Sequence, residues 1–311
     1  MSEMNNGTVS IVEVGARDGL QNEPEVFSTE TKVELLTRMM DAGARRLEVA
    51  SFVHPKLVPQ MADAEAVVAS LPDRKDVSYI GLVLNKRGLL RALATREGDR
   101  RGVDEAGCVA VATDSFGQRN QGQSIEDSIR ETSEMLRLAK AEGLVPQVTV
   151  SVAFGCPFEG EVPQARVLEI IQRLAENEPA EIALADTIGA AVPQQVSDLF
   201  GPAREKLPEG IRLRAHFHNT RNTGIANAWA AYQAGAEVLD SSVGGLGGCP
   251  FAPRATGNIA TEDLLYLLER SDVSTGLSLE DTIATAQWFE GVRGKPSASM
   301  LAKAGPFPAR G

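Results

Sequence analysis

A (β/α)8 barrel is the fold class that this 311-residue sequence predicts. Three observations carry that expectation. Eight apolar, strand-like runs alternate with helical patterns from end to end, at the roughly 30-residue spacing of repeated βα units. The length suits one large barrel, since such folds run to about 250 residues. No Gly-x-Gly-x-x-Gly follows the first strand, which weakens the alternative, an open doubly wound sheet built to hold a dinucleotide.

In chain order, strands are expected at Ser10–Val14, Arg46–Ser51, Val77–Leu84, Cys108–Thr113, Val148–Ala153, Ile182–Ala185, Leu213–His218 and Val238–Val243. The first helix is expected at Thr29–Ala42, where Val33, Leu35, Leu36, Met39 and Met40 recur near a 3.6-residue period and Ser28 can cap the start. The next two fall at Gln60–Ser70 and Arg87–Arg96. Ser124–Glu142 opens on Ser124-x-x-Asp127, a weaker relative of the Ser-x-x-Glu capping box. Pro163–Ala175, Val192–Leu207, Gly224–Ala234 and Thr261–Glu269 complete eight helices. Residues 1–270 are thus read as the barrel. Residues 271–311 are read as an extension of the same domain, with one helix at Leu279–Gly291 and a mobile Pro/Gly-rich end.

Composition excludes several function classes. The net charge of −11 disfavours binding to nucleic acid or an anionic membrane, both of which need a basic face, while a local cluster of cations can still meet an anionic ligand. Aromatic residues make up only 5%, too few for a base-stacking platform. No apolar run approaches the roughly 20 residues of a membrane helix, and Met1–Ser10 shows no targeting pattern. Three cysteines, Cys108, Cys156 and Cys249, without Cys-x-x-Cys spacing, indicate neither a disulfide framework nor a thiolate metal knuckle. The expectation is a soluble cytoplasmic protein.

Barrel active sites lie where the strands end, so those positions are the candidates. The first strand runs into Gly15-Ala16-Arg17-Asp18-Gly19-Leu20-Gln21. An Arg–Asp pair between glycines can present a cation and a carboxylate to a pocket, or form a solvated ion pair on a turn. The seventh strand ends in His216-Phe217-His218. Residues two apart share a strand face, so both imidazoles point one way and Phe217 the other. Two imidazoles on one face can ligate a metal or hydrogen-bond within the barrel. The chain has only three histidines. The third, His54, reads as a loop residue. The eighth strand leads into Gly244-Gly245-Leu246-Gly247-Gly248-Cys249-Pro250, followed by Asn258. Glycines allow close backbone approach, and Cys249 can be a loop acid/base or a packed thiol. Glu48 inside Leu47–Ser51 is an acid in an apolar strand and needs a partner, for which Arg17 is the candidate. Asp186 ends the sixth strand. Polar groups from five strands therefore converge on one end.

At this point the sequence resembles the 3-hydroxy-3-methylglutaryl-CoA lyases, metal-dependent lyases and synthases on barrels. The resemblance runs from about Val12 to Glu269. It is most specific at Gly15–Glu23, Ser51–Lys56, Gly155–Gly160, Asp186–Gly189 and Gly244–Asp263. It implies a divalent cation held by Asp18, His216, His218 and Asn258. With O and N donors, Mg2+ or Mn2+ suits better than Zn2+. It also implies that Arg17 stabilises an enolate oxygen and that Cys249 is the acid/base. Glu48, Asp186 and Glu262 would support the pocket, and Gln21, Ser51 and Arg221 would contact substrate. Lys56 and Arg119 are the cations expected to meet CoA phosphates. The implied partner is an acyl-CoA thioester and the implied assembly a homodimer. The implied reaction is retro-Claisen cleavage of a 3-hydroxyacyl-CoA to a keto acid and acetyl-CoA.

The segment after the histidines departs from the family pattern, which reads His-Asp-Thr-Tyr-Gly-Gln. Here Asn219 replaces the acid and Arg221 the tyrosine. The changed charge points to a different substrate carboxylate, as in citramalyl-CoA, or to the CoA phosphates. A condensing enzyme of the same superfamily is the other alternative. Such enzymes look to carry Glu where this chain has Leu20.

Overall fold

The computed structural model describes residues 7–98, 100–248 and 257–307. Eight strands form a closed barrel: β1 (Ser10–Glu13), β2 (Arg46–Ser51), β3 (Ser78–Val83), β4 (Glu105–Val111), β5 (Val145–Ser151), β6 (Glu181–Asp186), β7 (Arg212–Phe217) and β8 (Val238–Ser241). Each pairs in parallel with its chain neighbour, and β8 pairs with β1 to close the ring, with Leu239 opposite Ile11. The fold is therefore the (β/α)8 barrel the alternation predicts.

The surrounding helices are α1 (Thr29–Asp41), α2 (Ala64–Ser70), α3 (Lys86–Ala94), α4 (Asp114–Asn120), α5 (Ile125–Ala141), α6 (Gln164–Ala175), α7 (Pro193–Lys206), α8 (Gly224–Gln233) and α9 (Thr261–Arg270). Local sequence explains their starts. The Ser28 and Ser124 hydroxyls accept from the Thr31 and Asp127 N–H groups. Three expectations need correction. Strand β4 begins at Glu105, three residues before the predicted start. A carboxylate there looks like a loop residue, but Arg46 and Ser78 donate to it and make its burial tolerable. The predicted helix 60–70 is a 3-10 turn, Pro59–Met61, followed by the shorter α2. Helix α4, unforeseen, is a seven-residue insertion between β4 and α5.

The main apolar core lies between barrel and helices. Phe217, pointing outward from β7, packs on Phe200 of α7 at 6.2 Å between ring centroids. The barrel interior is polar at its lower end: Arg46 donates to both Glu105 and Glu181, and Gln147 donates to Glu105. Residues beyond 270 are not a loose tail. Val273 pairs with Gly7. Helix α10 (Leu279–Arg293) places Trp288 under the Arg38 guanidinium of α1, 4.5 Å from the ring centre. The end expected to be mobile carries a short helix, α11 (Leu301–Ala304), whose first N–H groups donate to Asp263. Among the described residues, no helix is long and apolar enough to cross a membrane.

Candidate active site

The site begins with a tight π-helical turn, Gly15–Gly19, in which Arg17, Asp18 and Gly19 all donate to the Val14 carbonyl. Crowding selects glycine at its end, since a Cβ on Gly19 would lie 2.8 Å from that of Leu246. The turn aims Arg17 and Asp18 into the barrel mouth. Arg17 donates through Nε to Glu48 at 2.7 Å and through Nη1 to Asp18 at 2.7 Å, with a further Nη2 bond to Glu48. Three of its N–H groups are thus engaged, which leaves two of the five a guanidinium carries.

Across from this turn stand the two imidazoles, with ring centroids 5.2 Å apart. Their Nε2 atoms lie 3.9 Å (His216) and 3.6 Å (His218) from Asp18 Oδ2. Asp18, His216 and His218 each offer one donor atom, all within 4.8 Å of one another. Asn258 sits beside His218 through a β-bridge and donates to Asp18 Oδ2 at 2.8 Å. His218 Nδ1, Asn258 Oδ1 and Gln21 Oε1 are buried acceptors or donors with no protein partner. Buried polar groups are normally satisfied, so the unpaired oxygens of Asn258, which is bonded to Asp18, and of Gln21, which lines the same cavity, leave acceptors free for a cation. The donor set, carboxylate, imidazoles and amide oxygen, suits a hard or borderline divalent ion.

Electrostatics support the arrangement. Burial alone would raise the Asp18 carboxyl, but Arg17 and the two imidazoles outweigh it and hold it well below the usual range. His216 Nδ1 lies 3.0 Å from Asp240 Oδ2. Burial disfavours its charged form, yet the Asp240 bond and charge raise its pKa overall. An imidazole whose second nitrogen is held by a carboxylate keeps a fixed ring orientation, as metal-ligating histidines do.

The predicted residues divide into two groups. Arg17, Asp18, Gln21, Glu48, His216 and His218 line one cavity of about 160 Å³, with Leu82, Leu84, Val109 and Phe116 on the opposite wall. Others lie outside it. Asp186 turns into the loop after β6, accepting from Ala190 and Ala191 N–H at 2.8 and 2.9 Å, and its burial raises its pKa. Glu262 is fully buried under the glycine turn, accepting from Gly244 N at 3.1 Å. The Ser51 hydroxyl is buried but not on the cavity wall. Arg221 donates to the Ile188 and Gly189 carbonyls at 3.1 and 2.6 Å, so its reach to the cavity is through that loop. Lys56 is exposed. Arg119 is exposed and stacked 3.9 Å over the centre of the Phe158 ring. Cys249 lies outside the described residues.

Sequence reading missed Asp240 and Arg214. Both signals were available: Asp240 is an acid inside the apolar Val238–Ser241 run, and Arg214 precedes His216 by two, on the same strand face.

A closed parallel barrel with a histidine–carboxylate cluster at its strand ends defines the class: a (β/α)8 enzyme with a candidate metal centre. Residues 8–288 match the HMGL-like family. The chain is 41% identical over 308 residues to the (R)-citramalyl-CoA lyase of Chloroflexus aurantiacus, covering 96% of this chain and 95% of that one. It is 40% identical over 288 residues to a hydroxymethylglutaryl-CoA lyase of Bacillus subtilis, covering 93% and 94%. Among solved structures it resembles an HMG-CoA lyase of Acinetobacter baumannii in complex with coenzyme A and 3-methylmalate, with TM-score 0.91, 34% identity and coverage of 100% and 99%. The chain belongs to the HMGL-like family and is an oxo-acid lyase.

Proposed function

We propose that this lyase cleaves 3-hydroxy-3-methylglutaryl-CoA to acetyl-CoA and acetoacetate, with Mg2+ or Mn2+ held by Asp18, His216, His218 and Asn258. The observation that carries the reading is the cluster itself: ligand atoms of three side chains within 4.8 Å of one another, with unpaired buried oxygens on the neighbouring Asn258 and Gln21, beside a cation with two open N–H groups.

When bound, a divalent ion there supplies Lewis acidity to the C3 hydroxyl of the substrate. In cleavage the C3 hydroxyl gives up its proton and the C2–C3 bond breaks; the hydroxyl carbon becomes the ketone, the bonding pair passes to the thioester enolate, and one proton is returned to the enolate carbon. Arg17 faces that developing charge with its two open N–H groups. Glu48 and Asp18 hold the guanidinium from behind, so it needs little reorganisation as charge appears. The apolar wall of Leu82, Leu84 and Val109 comes from β3 and β4. In an eight-stranded ring those strands stand opposite β7 and β8, so the wall is suited to the C3 alkyl group while the polar side holds oxygen atoms. We assign Cys249 to protonation of the enolate carbon; a Cys249→Ala variant with full turnover would remove it from that role. Arg119 and Lys56, exposed at the mouth, are assigned to the CoA phosphates. We further read the protein as a cytoplasmic homodimer, which light scattering of the purified chain tests.

One specific feature favours a second substrate. Arg221 and Asn219 replace residues of the family pattern, and Arg221 braces the loop that carries Thr187 to the cavity. A relative at 41% identity is a citramalyl-CoA lyase. Acetyl-CoA release from both thioesters, assayed in parallel, decides. Faster turnover of 3-hydroxy-3-methylglutaryl-CoA is expected; release from citramalyl-CoA alone would keep the chemistry and move the substrate.

A further inference from the structure

Strand β7 carries Arg214 and His216 on one face, and His218, the residue after its end, continues the same alternation. Successive same-face residues are about 6.6 Å apart along a strand, so Arg214 lies one layer below the imidazoles. Its side chain is 1% exposed and does not line the cavity. Every N–H of its guanidinium is engaged. Nε and Nη2 donate to the two oxygens of Asp240 at 2.5 and 2.9 Å, a bidentate pair. Nη2 also donates to Glu48 at 3.0 Å. Nη1 donates to Glu181 at 3.1 Å and to Gln147. Arg17, by contrast, keeps two N–H groups for a ligand. The two arginines therefore do different work.

Two of Arg214's partners also reach the reacting site, Glu48 through its second oxygen and Asp240 through an oxygen shared with Arg214. Glu48 Oε2 accepts from Arg17 at 2.7 Å. Asp240 Oδ2 lies 3.0 Å from His216 Nδ1. A single planar cation thus grips three carboxylates, of which Glu48 orients the enolate-facing arginine and Asp240 the candidate metal ligand. We propose that Arg214 is a positioning residue, coupling the orientation of Arg17 through Glu48 to that of His216 through Asp240. It touches neither substrate nor metal. A lysine cannot replace it, because a point donor cannot hold both carboxylates in one plane. This inference rests on the metal-centre reading above and extends it to a layer no ligand reaches.

The test uses purified full-length protein stripped with EDTA. Mn2+ binding is measured by calorimetry, thermal midpoint in the same buffer, and kcat and KM by acetyl-CoA release. Asp240→Asn cuts only the His216 arm, and Mn2+ affinity is expected to fall by roughly tenfold or more, the usual effect of losing a ligand's hydrogen-bond partner. Glu48→Gln cuts only the Arg17 arm; kcat is expected to fall by roughly tenfold or more with KM and Mn2+ affinity kept. Arg214→Lys is expected to show both losses. A merely structural role would lower the thermal midpoint in all three without this division. Equal losses of both properties in the two single-arm variants, or an Arg214→Lys variant with wild-type Mn2+ affinity and kcat, would overturn the proposal. Should Arg214→Lys not fold, Arg214→Gln, which also cannot hold both carboxylates, is read in the same way, and wild-type Mn2+ affinity and kcat in it would equally overturn the proposal. Wild-type protein that takes up no Mn2+ would overturn the metal-centre reading, and this inference with it.

Discussion

Replacing Glu13 by glutamine should make the protein more stable at pH 8 and nearly neutral in effect at pH 4.5. Glu13 ends β1 on its outer face, buried between the barrel and α9. Its Oε1 accepts from Gly15 and Val243 N–H at 2.8 and 3.0 Å, and its Oε2 from the Thr261 hydroxyl at 2.6 Å. Burial raises its pKa from 4.5 to about 7, even though three donors pull the other way. Between those values the folded chain keeps a proton that the unfolded chain has released. The stabilisation is therefore complete below pH 4.5 and is lost as the pH rises to about 7. At about 1.4 kcal/mol per pH unit, that interval corresponds to about 3 kcal/mol. Glutamine removes the titration and keeps the bonds: its oxygen accepts from the two backbone donors, and its amide donates to Thr261, whose hydroxyl turns to Ser241 at 2.9 Å. Urea denaturation from pH 4.5 to 8.5 measures the effect. Glu262, also raised to about 7 by burial, titrates in both proteins, so the difference between them isolates Glu13. Parallel pH curves, or a glutamine variant less stable at pH 8, would refute the reasoning.

Three further perturbations separate the parts of the site. A Cβ on Gly257 would meet the Gly247 carbonyl carbon at 2.3 Å; Gly257→Ala should lose about 1–3 kcal/mol of stability and, by displacing the adjacent Asn258, weaken Mn2+ binding, both readable by denaturation and calorimetry. Arg119→Ala, at an exposed position, should raise KM for the acyl-CoA while kcat and the thermal midpoint stay as they are; steady-state kinetics at two salt concentrations would show it. Cys108 is fully buried, and burial pushes its thiol up to about 12, so mass spectrometry after treatment with a thiol reagent at pH 8 should find it unmodified until the protein is unfolded.

Strand alternation made the barrel legible, because short apolar runs and helical patterns of period 3.6 succeed each other along the chain. The candidates were legible where residues share a short segment: Arg17 and Asp18 are adjacent and His216 and His218 share a strand face, so local spacing marked them, and the family resemblance joined them into one ligand set. Partnerships across the barrel were harder to read. Glu48 invited a search for one cation and has two, Arg17 and Arg214. For Arg214 the strand face is legible, two residues before His216, but nothing in its sequence neighbours says that three carboxylates surround it. Asp186, Ser51 and Arg221 sit near the right strand ends in sequence, and Glu262 on the first turn of α9, but their side chains do not line the cavity. Strand-end position does not determine whether a carboxylate faces the mouth or, like Asp186, caps its own loop. Helix α4 was hidden for a different reason: seven residues are too few for a helical period to show.

The central claim is that Asp18 and the β7 histidines form the metal centre of a carbon–carbon lyase. Titrating EDTA-stripped protein with Mn2+, while following both ion binding and acetyl-CoA release from 3-hydroxy-3-methylglutaryl-CoA, tests it most directly. Release is expected to rise in proportion to occupancy of one site, and both signals should vanish together in Asp18→Asn. Full turnover in EDTA, or Mn2+ binding that survives loss of Asp18 unchanged, would contradict it.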